Sequence, residues 1–437
     1  MADIKKLVSM LKELDDLLTG CMRCGMCQAQ CPIFAETGRE ADVTRGKLAI
    51  LSGLADEMLK DPQAVNDHLQ RCLLCGTCEA NCPSGVKVTD IFFRARAILS
   101  GYLGLPPSQR LVFRRLLTNP KLMNALIAFG SKFQGLLAKE ADGVIGTSCA
   151  RFNAPLIADR HFKRLAARSL HAQVPGLDTP AGKSGLRVAF FPGCLTDKVF
   201  PEIGLAVLKI LKHHGVGVFL PSNQACCGIP ALSSGETGAF TSLVRQNLDL
   251  FTQGSWDYLI TPCATCTATI AELWPKYYGD HLDTIRVQDL ASKTMDVSQF
   301  LADILKVGPA KGIGEPSKVA YHDPCHLRNT LKITDQPRTI IAASGKYATA
   351  ELPGGPSCCG SGGSFNIKQY KLSETIGRKK AESIAATKAT IAATSCPACM
   401  LQLADMLSKT GHSIRVKHVV ELYAESLDRE QPLEKSR

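Results

Sequence analysis

The feature that most constrains this chain is one cysteine run written twice. Cys21-x-x-Cys24-x-x-Cys27-x-x-x-Cys31-Pro32 recurs as Cys72-x-x-Cys75-x-x-Cys78-x-x-x-Cys82-Pro83. Three thiolates spaced by two residues on a tight loop can reach three corners of an Fe4S4 cube. The fourth cysteine lies too far along to close that cube easily and reaches the other one. The spacing therefore predicts two [4Fe–4S] clusters with crossed ligands. Cys21, Cys24, Cys27 and Cys82 would hold one; Cys72, Cys75, Cys78 and Cys31 would hold the other. Crossing keeps the two roughly 10–15 Å apart, within electron-tunnelling range. Gly25 and Gly76 leave room for the backbone to wrap each cluster and aim N–H groups at its sulfurs. Structural zinc typically takes two Cys-x-x-Cys pairs, without the extra Cys-Pro, and fits less well. The 40-residue insert between the runs departs from a compact two-cluster hairpin and suggests a helical di-cluster module.

Composition decides the redox setting. The chain has 437 residues, 19 of them cysteine. A secreted disulfide framework would need an export signal. The start, residues 1–21, is charged and amphipathic and has no apolar core of that kind. No stretch of 18 uninterrupted apolar residues marks a membrane span. A cytoplasmic metal-binding protein is the expectation, with any membrane contact peripheral, on the inner face. The formal charge is +11, but the basic residues are dispersed and only 6% of residues are aromatic. That argues against nucleic acid and for a solvated surface or an acidic partner or membrane face. A [4Fe–4S]²⁺ core with four thiolates carries −2, so two filled sites would bring +11 to about +7.

The second half repeats itself. Cys194, Cys227 and Cys266 recur as Cys325, Cys359 and Cys399, at offsets of 131, 132 and 133. A drift of two residues over such landmarks means a duplicated domain. Each copy reads as strand (187–191; 318–321), helix (202–213; 335–344), strand (216–220; 348–352), helix (236–250; 369–385), strand (257–261; 390–394). Alternation of this kind predicts α/β domains with mainly parallel sheets. Every landmark cysteine follows a strand, so each set should converge at the carboxyl edge of its sheet. Upstream, residues 2–18 read as an amphipathic helix. Residues 91–140 read as helical with breaks at Pro106–Pro107 and Pro120, and 172–186 as a Gly/Pro-rich linker. The expected domains are 1–100 (helical, two clusters), 101–186 (helical connector and linker), 187–308 and 316–437.

Each copy offers five cysteines: Cys194, Cys226, Cys227, Cys263 and Cys266, then Cys325, Cys358, Cys359, Cys396 and Cys399. Five exceeds what one tetrahedral ion or simple cube requires. A larger polynuclear cluster, or a metal site plus a redox thiol, fits better; a disulfide or a zinc ion in one copy stays open. Cys149 lies outside every motif and reads as a buried free thiol. His322 and His326 flank Cys325 and are candidates for proton transfer or cluster tuning, against simple packing.

These motifs resemble the iron–sulfur subunits of glycolate oxidase and of flavin-linked D-lactate dehydrogenases. Their relatives include the anaerobic glycerol-3-phosphate dehydrogenase C subunit and the heterodisulfide reductase D type. The resemblance covers nearly the whole chain: a ferredoxin-like di-cluster module, then two cysteine-rich "CCG" domains. Thr44-Arg45-Gly46-Lys47 is similar to the Arg-Gly-basic element of that family, and Cys82-Pro83-Ser84-Gly85-Val86 is similarly placed. The resemblance implies an oxidoreductase subunit that passes electrons from an FAD-binding partner to quinone or another carrier. Both terminal Cys-x-x-Cys pairs, often degraded in glycolate oxidase subunits, are intact here. That resembles heterodisulfide reductase-type domains, where such sets hold non-cubane [4Fe–4S] clusters. It implies one or two further clusters, and a second reading in which such a cluster cleaves a disulfide. No G-x-G-x-x-G follows a strand. Gly176–Ser184 has five residues between its glycines and precedes a strand, so it is no phosphate loop. Flavin belongs on a partner chain.

Overall fold

The computed structural model describes residues 4–152, 159–278, 283–310 and 315–427. The N-terminal module is helical. The helix expected over 2–18, whose first two residues lie outside the described ones, is two pieces, Ile4–Lys12 and Asp15–Thr19. Leu7, Leu11, Leu14 and Leu18 are buried, while Ile4 is exposed. Their face packs on helices Thr44–Ala55 and Val88–Leu103 through Leu48, Leu51, Ile91, Phe92 and Leu99. Such a stripe at helical spacing has nowhere else to bury its apolar area. Helix Pro107–Leu111 continues as a π-helical turn, Val112–Leu117, and Asn119 caps helix Pro120–Leu137 by accepting the Leu122 N–H.

Eleven strands are described. They are β1 (Ala138–Asp142), β2 (Thr147–Ala150), β3 (Leu177–Asp178), β4 (Arg187–Phe190), β5 (Gly217–Leu220) and β6 (Tyr258–Thr261). Then come β7 (Thr294–Asp296), β8 (Ser317–Tyr321), β9 (Tyr347–Ala350), β10 (Ile391–Thr394) and β11 (Arg415–His418). The connector is not all helix and linker. β1 and β2 form an antiparallel hairpin whose Asp142 carboxylate accepts the Val144 and Ile145 N–H groups. β3, inside the expected linker, adds antiparallel to β5. Gly182 lies against the Gly215 carbonyl, where a Cβ would come within 2.8 Å, so the Gly-rich stretch serves close packing.

The two copies have the α/β architecture expected. Their sheets are ordered β3-β5-β4-β6-β7 and β11-β10-β8-β9, and apart from β3 every pairing is parallel. Counted within each copy, both run second-first-third-fourth. The copies also share a core. Ile203, Val207 and Ile210 of helix Pro201–His213 pack with Ile340, Ile341, Val419 and Leu422 of the second copy. That joint core brings the carboxyl ends of both sheets together.

Candidate metal centres

The two cysteine loops share an uncommon backbone. Arg23 and Leu74, each just before the second cysteine, sit at φ 57° and 53°; Gly25 and Gly76, just after it, at 86° and 69°. Alternating hand in this way folds the loop around a point. Left-handed Arg and Leu are costly unless the surroundings over-determine them. Cys31 precedes helix Pro32–Thr37 with Pro32 in its first turn, the pre-set start proline favours. After Cys82 the chain instead makes a turn before helix Val88–Leu103.

The loops enclose two adjacent cavities. One is lined by Cys21, Cys24, Cys27 and Cys82. The other is lined by Cys31, Cys72, Cys75 and Cys78. The cavities share Thr44, Cys78 and Val88 as a wall. Cys24 is exposed, while Cys75 is buried. Burial and neighbouring thiols push the Cys31 thiol up to about 11 and Cys78 well above its usual range.

Thr44-Arg45-Gly46-Lys47 stands between the cavities. Arg45 leans over the first loop, donating to the Arg23 carbonyl at 3.2 Å and pairing with Glu40 at 2.6 Å. Lys47 is fully buried, beside Cys72 and Cys31, with its ammonium on the Asp42 carbonyl. Gly46 is obligatory, since a Cβ there would sit 1.9 Å from the Glu40 carbonyl oxygen. Arg96, buried, donates to the Leu69 and Cys72 carbonyls at 2.6 and 2.9 Å and to Ser233 at 2.8 Å.

In the duplicated half each five-cysteine set is one file of neighbouring thiols. The order is Cys194, Cys226, Cys227, Cys266, Cys263 in the first copy. It is Cys325, Cys358, Cys359, Cys399, Cys396 in the second. The adjacent cysteines stay within reach of each other while each has a second partner: Cys226 also reaches Cys194, and Cys227 also reaches Cys266. Donation from Cys226 and Cys266 holds the Cys227 thiol well below its usual range, and Cys358 and Cys399 do the same for Cys359. Gly228 and Gly360 take φ 94° and 88°. A Cβ would come 2.8 Å from the Phe240 ring or the Ser373 carbonyl, so the Cys-Cys-Gly corner needs its glycine twice over.

The files join. Cys263 lies within hydrogen-bonding reach of Cys396, and Thr265 Oγ1 is 3.6 Å from Cys396 Sγ. Cys358 lies within reach of Cys75 from the second loop. Asn329 ties that junction, donating to the Cys75 carbonyl at 2.9 Å and to Thr77 at 3.0 Å. An uninterrupted series of thiols therefore runs from Cys194 to Cys75.

The copies differ beside it. His322, 1% exposed, leaves Nε2 without a hydrogen-bond partner, and one of its ring nitrogens lies within 4.8 Å of the Cys359 and Cys399 sulfurs. The first copy has Phe191 there. Burial lowers the His322 imidazole to about 3. His326 bonds Thr265 Oγ1 at 3.0 Å and reaches the Leu74 carbonyl, which makes it a bridge between all three modules. Lys380, also buried, faces Cys359 and Cys358. Cys149 is partly exposed in β2 instead of buried, and stands apart from both files. No cysteine is disulfide-bonded. Soft, reduced thiols around two small cavities, with buried cations nearby, fit iron–sulfur clusters. The roles of Arg96, Lys380 and Thr265 were not legible in the sequence; Lys47 was, but only as part of a motif.

Residues 17–86 match the family described as 4Fe-4S dicluster domain, and residues 188–271 and 319–404 each match the cysteine-rich domain family. The chain is 29% identical to a probable glycolate oxidase iron-sulfur subunit of Bacillus subtilis, over 97% of this chain and 98% of that one. It is 30% identical to lactate utilization protein A of Shouchella clausii, over 54% of this chain and 98% of that one. It is 28% identical to a fumarate reductase (CoM/CoB) subunit of Methanothermobacter marburgensis, over 93% and 71%.

Proposed function

We propose, for a chain that belongs to the iron–sulfur proteins joining a 4Fe-4S dicluster domain to two cysteine-rich domains, that it is the electron-transfer subunit of an FAD-linked 2-hydroxy-acid dehydrogenase. The partner flavoprotein oxidises glycolate or D-lactate. This chain passes the electrons to quinone or another carrier. The cubane ligands are Cys21, Cys24, Cys27 and Cys82, and Cys72, Cys75, Cys78 and Cys31. The ten cysteines of the two files hold one or two further, non-cubane clusters. Bound clusters supply one-electron steps, which divide a two-electron flavin reaction.

The observation that carries this reading is the continuous placement of thiols from the exposed Cys24 edge to half-buried Cys194. Adjacent cavities and neighbouring cysteines leave no gap beyond tunnelling reach. The chain's other groups serve that task. Arg45 and Lys47 offset negative charge at the first and second cavities. Arg96 and Asn329 fix the loops against the two copies. Exposed Met22 and Met26 beside Cys24 offer the adaptable apolar rim a flavoprotein would cover. The test is Cys24→Ser or Cys75→Ser in the assembled complex. Substrate should still bleach the partner flavin, while electron delivery to an added quinone is lost. Failure of substrate to reduce the flavin in a correctly assembled variant would sink this division of labour.

A second reading is catalytic: a heterodisulfide reductase-like chain in which a cluster in a cysteine-rich domain cleaves a disulfide. The intact five-cysteine files and the likeness to the fumarate reductase (CoM/CoB) chain favour it. Thiol- or disulfide-dependent EPR signals from the isolated chain would support it, and their absence would count against it.

A further inference from the structure

Helix Pro120–Leu137 is built inside out. None of its 18 residues is buried. Six of its eight large apolar side chains face outward: Leu122, Leu126, Phe129, Phe133, Leu136 and Leu137 are all exposed, Phe129 by 64% and Leu136 by 70%, while Met123 and Ile127 are half-buried. Steps of four, three, four, three and one set them on a single stripe. The face turned inward is the more polar one. Gln134 donates to the Leu165 carbonyl at 2.8 Å and accepts the Leu165 N–H at 2.9 Å. A helix packed for water would have these faces exchanged. Leu111 and Val112, just upstream, extend the exposed apolar surface.

The segment that carries this stripe has charge of one sign. From Ile91 to Lys139, 49 residues, there are eight basic side chains and no carboxylate. Arg94, Arg96 and Arg114 are turned to Asp90, to buried carbonyls and to Glu236. Arg115, Lys121 and Lys132 are exposed. Lys121 and Lys132 are eleven residues apart, three helical turns, and so stand on the same flank of the stripe. An apolar stripe with a cationic flank is the pattern of a helix lying in a lipid interface.

We propose that helix Pro120–Leu137 docks this protein on an anionic phospholipid membrane. Phe129, Phe133 and the leucines enter the acyl boundary, with Lys121 and Lys132 at the headgroups. A helix with two exposed lysines and no carboxylate of its own selects an anionic surface over a mixed-charge protein groove. Among the described residues no helix is long and apolar enough to cross a membrane, so the contact lies along the surface. Met123 and Asn124 of this helix also wall the cavity at Cys194 and Cys226. Docking would therefore bring the far end of the thiol series to the bilayer; that consequence alone rests on the function proposed above.

The test is cosedimentation of the cluster-loaded full chain with vesicles, which reads binding without any turnover. Vesicles of phosphatidylglycerol and phosphatidylcholine should bind the protein at low salt, and phosphatidylcholine alone should not. Phe129→Glu with Phe133→Glu should weaken binding at least tenfold at unchanged iron content. Lys121→Gln with Lys132→Gln should weaken it about fivefold per charge and flatten its salt dependence. Absence of binding to anionic vesicles, or binding indifferent to both variants, overturns the proposal. So does a wild-type dimer that the glutamate variant dissociates, which would identify a second copy as the occupant. Loss of the flavoprotein partner by that variant, with vesicle binding intact, would identify the partner instead.

Discussion

At the scale of single residues, the motif Thr44–Lys47 shows how the cavities are supported. Thr44 lines both, Arg45 covers one and Lys47 is sealed beside the other. A buried ammonium next to a negative cluster favours the form carrying the extra electron. Lys47→Met keeps the length and apolar stem but removes the charge. It should lower the midpoint potential of the second cubane by an amount on the order of tens of millivolts and leave the first nearly unmoved. EPR-monitored titration reads both; an equal shift of the two, or none, would show that Lys47 only fills space. Gly46→Ala is a stability test. Its Cβ would overlap the Glu40 carbonyl, and forced overpacking of that kind costs about 1–3 kcal/mol or more. Loss of cluster absorbance on heating should begin well below the wild-type temperature. The cysteine spacing made the grouping of thiols around two cavities legible, and Gly25 and Gly76 take the left-handed backbone that lets each loop wrap. The left-handed Arg23 and Leu74 carry no local signal, because only the closed loop imposes them.

At the scale of elements, what the sequence exposed depended on apolar content. β4, β5, β6, β8, β9 and β10 are short runs bounded by turns, and were legible. β7 (Thr-Met-Asp) and β11 (Arg-Val-Lys-His) are short and polar, and are strands only because a neighbour offers an edge. β1 and β2 had a turn signal in Asp142-Gly143, outweighed by the helical pattern before it. The connector also docks on helix Pro397–Lys409. Asp405 of that helix, 6% exposed, accepts the His161 N–H at 2.9 Å and the Tyr370 hydroxyl at 3.2 Å. Burial raises this carboxyl to about 6. Above pH 4 the unfolded chain has released a proton that the folded state keeps. The group's contribution is therefore full at low pH and is lost as pH rises through about 6. Between about pH 5 and pH 8 the loss is on the order of 1 kcal/mol. Asp405→Asn should remove that slope, so its unfolding midpoint should gain on the wild type as pH rises. Parallel midpoints across the range would mean that Asp405 is ionised in the fold.

At the scale of the whole molecule, the order of the sites in space differs from their order in the chain. The sequence runs from the two cysteine loops to the first copy and then the second. In the structure the second loop touches the second copy, through Cys75–Cys358 and Asn329. The first copy's file adjoins the second copy's through Cys263–Cys396. Meanwhile helix Val88–Leu103 clamps the N-terminal module to the first copy by Arg96–Ser233, Ser100–Ser234 and Asp90–Lys276. Two interfaces formed by one small module leave the second copy as the middle station, an arrangement no spacing could reveal. The two cysteine files are therefore not interchangeable. Cys358→Ser with Cys359→Ser should leave both cubanes reducible and isolate the first copy's file, which would take up electrons only slowly. Cys226→Ser with Cys227→Ser should leave the second copy's file reducible at the wild-type rate. Iron analysis must first show that only the altered site is empty. Freeze-quench EPR after rapid reduction then distinguishes the two variants. Equal delivery to the first copy's file with the second disabled would mean that electrons bypass the Cys75–Cys358 junction, and the series would have to be redrawn through the Arg96 interface.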